Sequence, residues 1–228
     1  MPTASNVYRG DKMEAWLVQF LLLYVTFLAM FSPPATMTAA AILLGGIPNT
    51  ALRRVAWRVA WEYVFVMMIV IWLGNYMLTA LGLSTHALTA TGGAALLFQG
   101  WPLMTRGTKA EQSNALLNSE SPRNVNDLAV VPLLFPLSIG GGTIAVGISS
   151  AAHSNTLDGL LMLSAVILAM APTIAVTFLA SGPLHGRLST GAMDTLARIS
   201  GIILVTLSLQ LLVSGITGLV ITAIHTLS

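Results

Sequence analysis

A Ser32-Pro33-Pro34 element interrupts the apolar run from Ala15 to Leu44, and Pro136 with Gly140-Gly141-Gly142 interrupts the run from Leu128 to Ala152 at the matching place. Uninterrupted apolar runs of this length fit the hydrocarbon core of a bilayer, where a released backbone group finds no water to bond. A break at that depth survives only where it is buried in protein or lines a polar cavity. Paired breaks in two halves of one chain are the best sequence pointer to a transporter's substrate site.

Composition agrees with a membrane solvent, since 55% of residues are hydrophobic and only 8% are charged, against about 25% charged in a soluble domain. The few charges must sit at the ends and loops of apolar spans. The net charge of +2 is then accounted for by basic loops that set topology, and requires no nucleic acid. Cysteine is absent, which removes disulfides, thiolate metal sites and cysteine nucleophiles.

Six apolar spans are read along the chain, approximately Ala15 to Leu44, Ala56 to Leu81, Ala87 to Met104, Leu128 to Ala152, Leu157 to Gly182 and Leu196 to Ile224. A straight helix over the first would reach about 45 Å against a hydrocarbon thickness of about 30 Å, so length as well as chemistry places a break near Pro33. Lysine and arginine give the orientation. Arg53, Arg54 and Arg58 follow the first span, Arg106, Lys109 and Arg123 the third, and Arg187 and Arg198 flank the connection between the fifth and sixth. The connections Gly82 to His86 and His153 to Thr156 carry none. Arg9 and Lys12 are balanced by Asp11 and Glu14, so both termini are expected outside the cytoplasm. A cleaved signal peptide with its apolar region at Ala15 to Phe31 is disfavoured, because that region exceeds the usual 7 to 15 residues and the pattern resumes directly after Pro34.

Pro33-Pro34-Ala35-Thr36-Met37 set against Gly140-Gly141-Gly142-Thr143-Ile144 puts two breaks, two threonines and two apolar continuations in register. Three spans separate the breaks, so the second half is inverted relative to the first. The expected fold is an all-α membrane protein, a single integral membrane domain of six transmembrane helices. It is arranged as two inverted-topology three-helix repeats with broken first and fourth helices, the first repeat over 14–104 and the second over 128–226. The polar stretch 105–127, with its Ser121-Pro122 turn, is expected to be the cytoplasmic linker.

The stretch from Val131 to Ile144, VPLLFPLSIGGGTI, resembles the signature of the MarC family of bacterial inner-membrane proteins, in which a proline-rich entry precedes a Gly-Pro-Gly-Thr-Ile type element. Ser32-Pro33-Pro34 falls where that family carries an Asn-Pro element, Gly92-Gly93 on its third-span glycine pair, and Arg198, Gly201, Gln210 and Gly215 on its last-span pattern. The resemblance implies six spans on a plan similar to the LysE-type exporters, a place in the bacterial inner membrane, and kinship with SnatA-like transporters of glycine and alanine. Two departures stand out: Ser32 replaces the asparagine, and Gly141 replaces the middle proline.

A mechanism can be argued from the residues themselves. Half-helices beginning near Ala35 and Gly142 would point free N–H groups and the positive end of the helix dipole toward the membrane centre, a ready site for a carboxylate. Ser32, Thr36, Thr38, Ser138 and Thr143 would supply hydroxyls. Pro33, Pro34, Ala35, Gly140, Gly141 and Gly142 would shape the breaks and leave room for a small side chain. Gln210, mid-span, is added as a substrate contact, although a hydrogen bond between helices is the plainer reading. Glu62 lies inside a span one turn from Arg58; an interfacial ion pair is the plainer reading and proton coupling the sharper one.

The expected function is therefore secondary transport of small neutral amino acids or related metabolites, driven by a proton or sodium, with no cofactor and no metal. A non-transporting scaffold or stress-associated partner protein, or a drug efflux protein, are the alternatives. No catalytic constellation is found: His86, His153, His185 and His225 lie at span ends without ligand spacing, and no phosphate-binding glycine motif with its lysine is present. Substrate identity, direction of transport and oligomeric state are not written in the spacing of the residues.

Overall fold

The computed structural model describes residues 4–44, 47–80, 82–107, 133–134, 138–154, 156–184 and 189–227. The linker expected at 105–127 lies mostly outside these residues, as do Pro136 and the first part of the fourth expected span. Among the described residues the chain is all-helical, with seven α-helices. These are α1 Ala4–Phe31, α2 Pro33–Leu43, α3 Asn49–Ala80, α4 Thr85–Arg106, α5 Gly141–His153, α6 Leu157–Leu184 and α7 Thr190–Leu227.

Four stretches are long and apolar enough to cross a bilayer: Met13–Ala41, which takes in most of α1 and most of α2, Asn49–Gly74, Leu157–Pro183 and Gly191–His225. Gly141–Ala152 is apolar but short. At 1.5 Å per residue α5 covers about 20 Å, and α2 still less, so each reaches only part of the way across a hydrocarbon core. α4 is diluted by its glycines and threonines.

Local signals set the ends of α4. The Ser84 side chain accepts the Ala87 N–H at 3.0 Å, and Gly107 closes the helix at φ 59 with its N–H on the Leu103 carbonyl at 2.9 Å. That positive φ is open to glycine at little cost.

The helices pair mainly between the two halves of the chain. α3 packs on α6 and α4 on α7, whereas α3 makes little contact with α4, and α6 little with α7. α2 packs on α6 and α7, and α5 packs on α3 and α4. Exchanging the halves converts each of these statements into another.

α4 and α7 run antiparallel with their backbones in close approach. A Cβ at Gly93 would meet Leu212 N at 2.7 Å, and one at Gly201 would meet Leu103 C at 2.7 Å and the Met104 backbone. Gly93 and Gly201 are separated by the same interval in the chain as Leu212 and Met104. Small residues at such crossings bring helices close where lipid gives no hydrophobic drive for association. α3 and α6 are also antiparallel: Leu52 lies against Gly182 at one end, and Trp72 Nε1 donates to Ser164 Oγ at 3.2 Å nearer the other. One continuous core, which includes Phe27, Phe31, Tyr63, Met67, Ile139 and Phe178, joins the two halves.

Candidate functional site

α1 stops at Phe31 and α2 starts at Pro33, with Ser32 between them at φ 47, ψ 73. Ser32 is the only non-glycine with positive φ among the described residues. A side chain in this left-handed region costs roughly 1–2 kcal/mol, least for asparagine, whose short amide bonds locally. The serine is buried, and its N–H still reaches the Leu28 carbonyl at 3.0 Å. One residue of reversed hand followed by two prolines thus ends one helix and starts the next.

The first turn of α2 has fewer N–H groups than the expected N–H cradle would use. Pro33 and Pro34 have no N–H, the Thr36 N–H donates to the Ser32 carbonyl at 3.0 Å, and Ala35 is itself engaged. Proline suits these opening positions because their amides would have had no partner within the helix. What the break presents instead is hydroxyl and carbonyl. Thr36 is buried, and its Oγ1 donates to the Phe31 carbonyl at 2.9 Å across the break.

The second break uses a different device for the same problem. At Leu133, Leu134 and Ser138 the backbone is π-helical, and the Ile139 N–H donates to the Leu134 carbonyl at 2.8 Å, five residues back. Such turns release carbonyls from the regular ladder. Ser138 Oγ takes one of them, donating to the Leu133 carbonyl at 2.7 Å. Gly140 then runs extended, and α5 opens at Gly141 with no side-chain cap. Here the amide end expected at a half-helix start is present, and Gly141 is exposed while Gly142 and Thr143 are buried. The positive end of the α5 dipole lies at this start.

Glycines also let α4 close on α5. A Cβ on Gly141 would stand 3.0 Å from Ala95 Cβ, one on Gly142 would collide with Leu96, and one on Gly92 would collide with Ala145. Both breaks belong to the same core, which contains Phe31 and Ala35 of the first and Leu133, Leu134 and Ile139 of the second.

Ser32, Thr36, Ser138 and Thr143 are thus all buried at the two breaks. Pro33 and Pro34 open α2, Ala35 is buried beside them, and Gly140, Gly141 and Gly142 open α5. Thr38 lies on α2, but its side chain is outside what is described. Gln210 is not brought to the breaks, because it faces outward on α7. Glu62 is also apart from them: its Oε1 holds Arg58 Nε at 2.8 Å, between the exposed Trp57 and Trp61.

The sequence reading passed over a hydroxyl row on α6. Thr173, Thr177 and Ser181 recur every four residues on one helix face. Tyr24 of α1 and Thr173 share a hydrogen bond of 2.6 Å, Thr177 Oγ1 donates to the Thr173 carbonyl at 2.7 Å, and Ser181 is fully buried. The spacing was the available signal. Apart from Tyr63, whose phenol is buried without a partner, the buried polar residues among those described are serines and threonines, so the interior offers mainly hydroxyls and backbone groups.

The model of the MarC family integral membrane proteins matches residues 17–220. An inner membrane protein MarC of Citrobacter koseri is 28% identical over 200 residues, covering 82% of this chain and 89% of its own. One from Salmonella typhimurium is 28% identical over 197 residues with the same coverage. A membrane protein of Aquifex aeolicus is 24% identical over 207 residues, covering 91% of this chain and 96% of its own. No solved structure matches the chain.

Proposed function

This chain belongs to the MarC family of integral membrane proteins, and from that membership and the two breaks we propose that it is a secondary transporter of small neutral amino acids of the glycine and alanine class. The observation that carries this reading is a pair of interrupted segments in one core, each followed by a short helix and each holding buried hydroxyls. Irregular backbone inside a membrane protein is retained where it serves a binding cavity.

The architecture we assign is six spans in two inverted repeats, with α1–α2 and the segment ending in α5 as the broken first and fourth helices. The exchange symmetry of the helix pairings and the equal spacing of the Gly93–Leu212 and Gly201–Met104 approaches support it. In this reading the α5 start, Gly140-Gly141-Gly142, receives the substrate carboxylate through its uncapped amides. The α2 side, with Thr36 and Ser32, faces the ammonium with hydroxyl and carbonyl oxygen. The two ends of a zwitterion thereby meet two chemically different breaks. Close glycine packing of α4 on α5 limits the space to small side chains.

Transport follows as rocking of one repeat against the other around this site. Glu62 is the acid assigned to proton coupling, through Oε2, which is buried without a partner while Oε1 holds Arg58. The protein is placed in the bacterial inner membrane, as the names of its relatives state for them. Both termini are placed on the periplasmic side by the distribution of arginine and lysine.

The test is flux in proteoliposomes. Purified protein is expected to move labelled glycine or alanine across the membrane, and Gly141→Leu is expected to stop it with the protein still folded. Absence of both flux and binding for small neutral amino acids overturns the substrate assignment.

A further inference from the structure

We propose that the outward face of α7 is the contact surface for a second copy of this chain, packed in parallel about a two-fold axis along the membrane normal. The inference does not depend on the transport reading. Thr206, Gln210, Ser214 and Thr217 are all exposed on α7, and their spacing of four, four and three residues places them in one stripe. The apolar faces presented elsewhere differ. Phe65, Ile69 and Leu73 cover α3, and Leu161, Leu168 and Val176 cover α6. α7 is less covered than α3 and α6, with 28% of its most apolar window buried against 44% for each of them; the α1–α2 span, at 17%, is barer still, but its outward face is the apolar one of Leu17, Leu21 and Val25.

Gln210 makes the stripe more than a packing pattern. It lies near the middle of α7, and its neighbour Leu212 packs on Gly93, near the middle of α4, so the amide is at mid-membrane depth. No hydrogen bond to its side chain is found among the described residues. The Thr206 hydroxyl next to it is committed to the Ile202 carbonyl at 2.9 Å. An amide facing hydrocarbon with neither donor nor acceptor used is costly. Gln19, also exposed, lies about 6 Å beyond Ala15 at the start of its apolar run and reaches the interface without a partner.

Lipid tails cannot satisfy Gln210, whereas an identical amide can, because glutamine is both donor and acceptor. A two-fold axis beside α7 brings Gln210 against its own copy, in the manner of a self-complementary contact. The apolar groove lined by Leu97, Phe98, Trp101, Pro102, Val205 and Leu209 runs alongside the stripe. It gives the partner's side chains a place to pack.

The natural absence of cysteine makes the test direct. Thr206→Cys and Ser214→Cys reporters, oxidised in native membranes, are expected to form covalent dimers, and Phe65→Cys and Val176→Cys controls are not. Adding Gln210→Leu to either reporter is expected to lower cross-linking roughly tenfold, with Gln210→Asn retaining part of it. Energy transfer between labelled copies in liposomes, followed on lipid dilution, checks the same loss without cysteine chemistry. Reporters that cross-link no faster than the controls, or a Gln210→Leu chain that associates as the parent does, overturn the proposal.

Discussion

Thr36 Oγ1 donates a 2.9 Å hydrogen bond to the Phe31 carbonyl on the other side of the helix break. The bond carries a side-chain donor across the break, in a turn where Pro33 and Pro34 have no N–H to give. Ser138 does the same for Leu133 at 2.7 Å in the second half. Each hydroxyl reaches five residues back, so each spans one wide turn.

Thr36→Val keeps the shape of the side chain and removes the hydroxyl that donates to the buried Phe31 carbonyl. Loss of about 1–3 kcal/mol is expected, and Thr36→Ser should restore most of it. Unfolding in detergent, followed by helical circular dichroism, reads the difference. Equal stability of the valine and serine chains would remove the cap from the account.

Ser32 adopts a left-handed conformation that asparagine and glycine accept more readily. Ser32→Gly and Ser32→Asn are expected to raise the melting temperature by about 2–4 °C, the equivalent of about 1 kcal/mol in a chain of this size. Ser32→Val should lower it by more. A melting series on purified protein checks the order.

Gly93→Ala would set a Cβ 2.7 Å from Leu212 N and 2.9 Å from Ser208 O, and Gly201→Ala would set one against the Leu103–Met104 backbone. Backbone cannot swing aside as a side chain can, so each change is expected to cost about 1–3 kcal/mol. Gly191→Ala, with nothing within 4 Å, should instead stabilise by about 0.5–1 kcal/mol. A Gly191 chain that loses as much as Gly93 would contradict the close α4–α7 approach.

The Arg58–Glu62 pair is partly exposed, with side-chain accessibilities of 44% and 26%, and its net worth is at most about 1 kcal/mol. Arg58→Gln should cost more than Glu62→Gln, because it leaves a carboxylate with one oxygen already buried and unpartnered. If Glu62 carries the coupling proton, flux in Glu62→Gln becomes independent of pH. An unchanged pH profile assigns coupling elsewhere.

The sequence by itself determined the solvent of this protein and the places where its helices must stop. Apolar runs of bilayer length leave helices as the structure that satisfies every amide internally, and proline at 33 and 34 or glycine at 140–142 cannot continue one without cost. It also located the hydroxyls at the breaks, because serine and threonine beside a broken ladder have carbonyls to cap. The tertiary structure decided which face each residue presents. Periodicity places Gln210 on α7 but cannot say whether that side meets α4 or the lipid, since both are apolar and only the rotation set by Gly93 and Gly201 distinguishes them. It likewise decided how each short helix opens, α2 after a left-handed Ser32 with two prolines and α5 after an extended Gly140, neither with a side-chain cap. Those outcomes depend on backbone dihedrals at Ser32 and Gly140, which answer to packing across the two halves of the chain.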